Sequence, residues 1–276
     1  MEFKFVISNL DVEAVLNGDD RIVLDLGKGE EITVVRDDDA IFIDDIEFDI
    51  DTLKSMTRWK GVYGITDNGD IFKLEIRSGS YYKLVQERRY EAPTLEIDGI
   101  RMHRTKWTDP WTDAGVKVAK AGVGKGDHVL DVCTGLGYTA LRAMEAGAHV
   151  TTIEIDENVI ELARVNPWSD GLEGADLITG DAVEVVPTFD DESFNVVIHD
   201  PPRLARAGEL YSTEFYSELF RVLKPGGTLV HYVGSPGSRY RGKDVPAGVA
   251  KRLTMVGFDV EEVDRKWGLI RARKPI

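Results

Sequence analysis

Val129–Ala140, reading VLDVCTGLGYTA, decides the fold. An apolar run of strand character, Val129–Val132, is broken by Gly135 and Gly137 and followed by a helical pattern from Tyr138. The two glycines let the main chain turn tightly and come close to a ligand. Many α/β proteins carry such a turn, so its surroundings decide what it means. Asp131 sits near the C-terminal end of the strand. Glu154 ends the next strand about 20 residues later, the spacing of an acid that accepts hydrogen bonds from both hydroxyls of a ribose. Asp181, within Ile178–Ala182 (ITGDA), ends a third strand and is placed to meet an adenine amino group. All three acids fall at carboxyl ends of adjacent strands, where open α/β sheets bind ligands. Singly, Asp131 and Asp181 read equally well as helix caps. With Gly135, Gly137 and Glu154 at this spacing, a nucleotide-like ligand is the better reading.

Working outward, strands and helices alternate from Val129 onward. The spacing predicts strands over Val129–Val132, His149–Ile155, Ala175–Thr179, Phe194–His199 and Gly227–Val233. It predicts helices over Tyr138–Ala146, Asn158–Asn166, Ala182–Val186, Ser212–Leu223 and Val245–Val256. Such alternation means a parallel sheet covered on both faces. Phe258–Val263 and Trp267–Ala272 read as a closing hairpin. Upstream, Asp109-Pro110-Trp111 opens a helix, with Asp as cap and Pro in the first turn, running to about Ala121. Residues 1–92 read differently, as short strands (Phe3–Ile7, Arg21–Leu26, Glu31–Val35, Ala40–Phe48, Val62–Thr66, Asp70–Ile76, Tyr81–Gln86) with one helix over Asp49–Arg58. We expect a small β-rich domain over 1–92 and a catalytic domain over 93–276.

Composition narrows the classes. The formal charge is −15, from 34 Lys and Arg against 49 Asp and Glu, which repels nucleic acid at long range and counts against nonspecific binding. Cations nevertheless gather at Arg88-Arg89, at Arg101–Lys106, at Arg239/Arg241/Lys243 and at Arg271/Arg273/Lys274. A single cysteine, Cys133, permits no intrachain disulfide and suits a reducing, cytoplasmic setting. No leader or membrane-spanning stretch is expected. No Cys/His pair has metal-ligand spacing, so no metal is expected.

VLDVCTGLGYTA, TTIEID, ITGDAV and VVIHDPPR together resemble the four successive motifs of class I S-adenosylmethionine-dependent methyltransferases. The resemblance covers about residues 94–276. It implies a Rossmann-like seven-stranded sheet, with the late antiparallel strand that separates this group from dehydrogenase domains. It also implies S-adenosylmethionine as cofactor, held by Asp131, Thr134, Gly135, Gly137, Tyr138, Glu154, Ile155, Asp181 and Ala182. Ala140 stands where a dinucleotide fingerprint has its third glycine, which argues against NAD, whose pyrophosphate needs a close helix N-terminus.

His199-Asp200-Pro201-Pro202-Arg203 resembles the Asp/Asn-Pro-Pro-aromatic motif of amine methyltransferases. Asp200 would supply a side-chain acceptor and Pro201 a carbonyl acceptor for the two N–H groups of the amine. Pro201 and Pro202 would stiffen the loop. Arg203 replaces the usual aromatic residue; it can stack on a base or clamp a phosphate. His103, Lys106, Trp107, His231, Tyr232 and Arg239 are candidate substrate residues, with core packing an equal reading for the tryptophan. His199, pointing opposite Asp200, reads as packed. Gly234–Arg239 reads as a mobile loop with a cationic tip.

The whole pattern resembles a group of archaeal methyltransferases acting on cytidine N4 in ribosomal RNA. This implies an RNA partner (ribosomal or transfer), met by the basic clusters. A homo-oligomer is compatible with the sequence. The alternatives are a spermidine-synthase-like aminopropyltransferase, resembled at Leu210–Tyr216, and a small-molecule amine methyltransferase. Aminopropyltransferases carry an acid inside the glycine loop, where this chain has Thr134-Gly135-Leu136-Gly137. A cofactor-binding scaffold without activity fits an intact Asp200-Pro201-Pro202 poorly.

Overall fold

A computed structural model describes residues 2–234, 239–240 and 242–276. The chain divides into two compact units: Met1–Thr112 with Asn158–Asp170, and Asp113–Glu157 with Gly171–Ile276.

The first unit is built from short antiparallel strands. Phe5–Ser8 pairs with Val62–Ile65, which pairs with Ile71–Lys73. A second sheet runs Ile100–Arg101, Thr94–Ile97, Ser80–Val85, Glu75–Ser78. The expected strand over Ala40–Phe48 is two strands, Ala40–Ile43 and Ile46–Asp49, folded back at Asp44 (φ 57°). The helix over Asn9–Leu16 was not expected. Its signal is a capping box: the Ser8 hydroxyl accepts from the Asp11 amide while the Asp11 carboxylate accepts from the Ser8 amide. Phe5, Ile7, Val12, Val15, Ile22, Ile43, Leu53 and Ile65 form the core of this unit.

Elements of the larger α/β layer are numbered from its first helix. They are α1 (Pro110–Ala121), β1 (His128–Val132), α2 (Tyr138–Glu145) and β2 (His149–Glu154), after which α3 (Glu157–Arg164) falls, from Asn158 on, in the first unit. Then come β3 (Asp176–Thr179), α4 (Ala182–Val185), β4 (Phe194–His199), α5 (Thr213–Val222) and β5 (Leu223–Tyr232). The layer ends with α6 (Val245–Val256), β6 (Asp259–Asp264) and β7 (Leu269–Arg273). The strands form one sheet in the order β3-β2-β1-β4-β5-β7-β6. Only β7 is antiparallel to its neighbours. The seven-stranded Rossmann-like sheet is therefore the observed fold.

Alternation along the strands feeds two cores. Leu130, Val132, Val197 and Leu229 join one cluster with α5 and α6; Val129, Val196, Ile198 and Val230 join another with Val118 and Ala121 of α1. β5 begins earlier than expected, at Leu223, because Phe194 pairs with Leu223 before the ladder bulges over Lys224–Gly227 and resumes at Thr228. Of the loop expected over Gly234–Arg239, residues 235–238 lie outside the described residues.

The turn after β1 is tighter than its glycines imply. Cys133 itself is left-handed (φ 74°), as are Gly135 (φ 56°) and Gly137 (φ 79°). A Cβ at Gly137 would come within 2.6 Å of Leu172. Positive φ strains a residue bearing a side chain, most of all a β-branched one. Cys133→Val should therefore destabilise the protein by at least about 1 kcal/mol more than Cys133→Ala, although valine fills more space. Equal denaturant midpoints for the two variants would show that the turn relaxes.

Candidate active site

The carboxyl ends of β1, β2, β3 and β4 present Asp131, Glu154, Asp181 and Asp200 along one edge of the sheet. Parallel pairing sets this: Asp131 faces Thr152 in register, and Val132 faces both Ile153 and His199. Asp131 is 1% exposed; its Oδ2 accepts from the Thr152 hydroxyl at 2.7 Å, and Oδ1 is buried without a hydrogen-bond partner. Burial pushes its carboxyl up to about 7. Thr134 extends this polar line, its hydroxyl 2.6 Å from that of Thr152.

Glu154 is held by main-chain amides. Oε2 accepts from Gly135 at 2.9 Å, and Oε1 accepts from Ile155 at 3.0 Å and Asp156 at 3.1 Å. Burial raises its pKa, and these amides work against that rise. The next residue, Ile155, is 63% exposed, an apolar side chain left open beside the acid. Asp181 caps α4, its Oδ1 accepting from the Val183 amide at 2.9 Å. Tyr138 and Ala182 are buried at the starts of α2 and α4.

Asp200 has a partner that the sequence did not disclose. Its Oδ2 lies 2.6 Å from Lys117 Nζ, and the same ammonium lies 2.8 Å from Asp113. Lys117 is 6% exposed and stands 4.9 Å from the centre of the Tyr232 ring. Burial alone would lower the pKa of this ammonium; the charges of Asp200 and Asp113 outweigh burial and raise it, so Lys117 is a cation. The signal was present as Asp113 and Lys117 spaced i, i+4 on one helix, but the third member is 83 residues away.

Pro201 is buried and Pro202 exposed. The Pro202 carbonyl accepts from the Tyr211 hydroxyl at 3.1 Å, whereas no donor among the described residues reaches the Pro201 carbonyl. Arg203 is exposed.

His231, expected to line a substrate pocket, is a packing residue. It is fully buried, with Nε2 2.9 Å from the Tyr216 hydroxyl and Nδ1 3.2 Å from the His199 carbonyl. Both ring nitrogens are occupied, and burial holds its pKa well below the usual value. His199 is likewise buried and neutral, pushed down to about 4 by burial. Tyr232 is half-buried under Lys117. Arg239 lies in a short hairpin with Lys243–Asp244, and its side chain is outside the described residues.

His103, Lys106 and Trp107 belong to the first unit. The His103 Nδ1 lies 3.1 Å from the Thr94 hydroxyl. Trp107 is 85% exposed in a left-handed conformation (φ 70°), with Lys106 Nζ 5.5 Å from its ring. Most of the expected basic clusters carry balanced charge. Arg88 pairs with Glu91, Arg89 with Asp11 and Asp19, Arg101 with Glu87, and Arg271 and Arg273 with Glu261. Among the described residues no group of three or more His, Cys, Asp or Glu is placed to hold a metal ion, and no helix is long and apolar enough to cross a membrane.

A glycine turn with acids at successive strand ends, on a sheet of this strand order, defines an α/β enzyme of the nucleotide-ligand type. Residues 124–263 match the family model described as a methyltransferase domain; the chain belongs to that family and is a methyltransferase. An uncharacterized protein of Methanocaldococcus jannaschii is 45% identical over 282 residues, spanning 99% of this chain and 96% of that one. A polyamine aminopropyltransferase of Mycobacterium tuberculosis is 31% identical over 173 residues, 59% of this chain and 33% of that protein. The fold is shared with spermidine synthase in complex with the transition-state analogue AdoDATO (TM-score 0.58, 20% identity, covering 76% of this chain and 78% of that one). It is shared also with the Thermotoga maritima spermidine synthase (TM-score 0.56, 18% identity, covering 78% and 79%).

Removing the ammonium of Lys117 leaves Asp113, 3% exposed, and Asp200 facing one another without a cation. Lys117→Met should cost about 3–5 kcal/mol of unfolding free energy. A loss under about 1 kcal/mol in chemical denaturation would mean that solvent reaches the pair.

Proposed function

We propose that this chain is an S-adenosylmethionine-dependent N-methyltransferase acting on an exocyclic amine of an RNA base, with cytidine N4 in ribosomal RNA as its leading substrate. The observation that carries this reading is the state of Asp200. One oxygen is anchored on Lys117; the other oxygen and the neighbouring Pro201 carbonyl meet no donor among the described residues.

An exocyclic amine is a poor nucleophile because its lone pair is delocalised into the ring. Two acceptors that hold its two N–H groups turn that lone pair out of the ring plane. Asp200 Oδ1 takes one N–H and the Pro201 carbonyl the other. Lys117 is a positioning residue here: it fixes the carboxylate. S-adenosylmethionine, when bound, supplies a methyl group on a sulfonium that leaves as a neutral thioether. The new N–CH3 bond forms from the amine lone pair, and the surplus proton leaves through Asp200 to solvent.

The residues present suit that cofactor. The unpartnered, buried Oδ1 of Asp131 fits its ammonium, and the three amides on Glu154 orient an acid for the ribose hydroxyls. Exposed Ile155 offers an apolar face to adenine, and Asp181 an acceptor for its amino group. Thr134, Gly135 and Gly137 bring the main chain close.

A second reading, aminopropyl transfer to a polyamine, is favoured by the shared spermidine synthase fold. Asp200 would then be the general base for the attacking amine.

Two experiments test the proposal. Asp200→Ala should lower methyl transfer from labelled S-adenosylmethionine to ribosomal RNA by at least about 100-fold while cofactor binding is kept. Retained turnover would remove Asp200 from the reaction, and transfer to putrescine from the decarboxylated cofactor alone would establish the second reading. The cofactor should also bind more tightly as pH rises. Asp131, neutral below about 7, must ionise to meet the ammonium, so affinity climbs as pH rises toward 7 and a proton is released. The titration stays below about pH 7.5, where the cofactor's own α-amino group begins to lose its charge. Asp131→Asn should abolish the dependence; a pH profile unchanged in that variant takes Asp131 out of the cofactor site.

A further inference from the structure

Most arginines of this acidic chain are matched with carboxylates. Besides those above, Arg221 pairs with Asp191 and Glu218, and Arg265 with Asp244. Arg58, Arg164, Arg203 and Arg206 are exposed without a described carboxylate in ion-pair distance, and of these Arg203 and Arg206 lie three residues apart. The nearest acids along the chain are Asp200, already committed to Lys117 at 2.6 Å, and Glu209, exposed three residues beyond Arg206 and not within ion-pair distance of it.

The two arginines share one turn. The Arg203 carbonyl accepts from the Arg206 amide at 2.7 Å and from the Ala207 amide at 3.3 Å. The turn is tied at both ends to buried side chains. The Tyr211 hydroxyl donates to Pro202, and the His199 Nε2 lies 2.9 Å from the Leu210 carbonyl. Two prolines stiffen the approach from Asp200. Two like charges thus share one braced turn that starts at the proposed amine acceptor, with no described carboxylate in ion-pair distance of either.

We infer that Arg203 and Arg206 form an anion-binding pair that grips phosphodiester groups flanking the target base, and so select a nucleic-acid strand over a polyamine. This rests on the amine-methyltransferase reading of Asp200. Guanidinium matches phosphate in a bidentate way, which makes arginine the fitting residue for this task. The reach is right as well. Residues 200 to 203 span at most roughly 10 Å, the scale of a nucleotide from base edge to backbone. A diamine brought to Asp200 would instead meet two unopposed positive charges. The pair also gives Arg203 a role in place of the aromatic residue of related motifs: it holds the backbone of the strand.

The test is equilibrium binding of a labelled, short single-stranded oligoribonucleotide to the full chain with S-adenosylmethionine, over a salt series. Each of Arg203→Gln and Arg206→Gln should lower the slope of log affinity against log salt by about 0.7, and the double variant by about 1.4. The double lysine variant should keep the slope, because charge is retained, and cofactor affinity should be unchanged throughout. An unchanged slope in the double glutamine variant, or no binding by the unaltered protein, overturns the inference. So does aminopropyl transfer to putrescine by the unaltered protein. Methyl transfer to an uncharged amine should keep the same kcat/KM with and without the arginines; a loss there equal to the loss on the oligoribonucleotide would overturn the inference, while leaving the chemistry assigned to Asp200 standing. Loss of transfer in Asp200→Ala is read separately from the salt slope, so the two ideas fail independently.

Discussion

The buried ammonium of Lys117 organises the acceptor end of the sheet. Burying a charge is costly unless it is paired and hydrogen-bonded. Here one cation sits between two carboxylates, Asp113 at 2.8 Å and Asp200 at 2.6 Å, with the Tyr232 ring against it. Asp113 and Lys117 ride on α1, and α1 is seated by Val118 and Ala121 against the strand residues Val129, Val150, Val196 and Val230. Apolar packing thus positions the helix, and the helix positions the charge. The charge then fixes which oxygen of Asp200 is left over. An arrangement of this kind stabilises little net of its desolvation cost, and its more general effect is orientation.

The glycine turn is the second constraint, and it works by strain. Cys133, Gly135 and Gly137 all take positive φ, which folds the chain back so that the Gly135 amide reaches Glu154 on the next strand. Two of the three positions are glycine and meet this without penalty. Cys133 is not, and tolerates it because its neighbours are locked: its own amide and that of Thr134 both donate to the Ile153 carbonyl. Strain held this way is typical of sites where backbone approaches a ligand.

The sequence was legible where chemistry is local. Asp109 and Pro110 start α1 and Ala121 ends it, as the cap and the glycines beyond it indicate. The limits of β4 and α6 are those expected from the strand and helix alternation, and Asp244 caps α6. The acids at strand ends were legible too, because parallel alternation forces consecutive strands to finish on one edge. What stayed hidden depends on distant partners. Nothing around Asp200 in sequence points to Lys117. His231 reads as a pocket residue until Tyr216 and the His199 carbonyl are seen on its two nitrogens. The basic clusters read as a phosphate-binding surface until their acids are found, Asp11 and Asp19 for Arg89 being 78 and 70 residues away.

Those quenched clusters bear on how an acidic protein would work on the RNA substrate proposed above. A net charge of −15 repels a polyanion, but screening at physiological salt confines that repulsion to about 8 Å. Inside that distance only local, unopposed charge matters. Arg88, Arg89, Arg101, Arg271 and Arg273 already face carboxylates and add little local field. Arg203 and Arg206 add theirs in full. In the proposed reading, that local charge focuses attraction beside Asp200. Selectivity would then come from which base reaches Asp200 once its own backbone is held, and an acidic body helps by discouraging every other mode of approach.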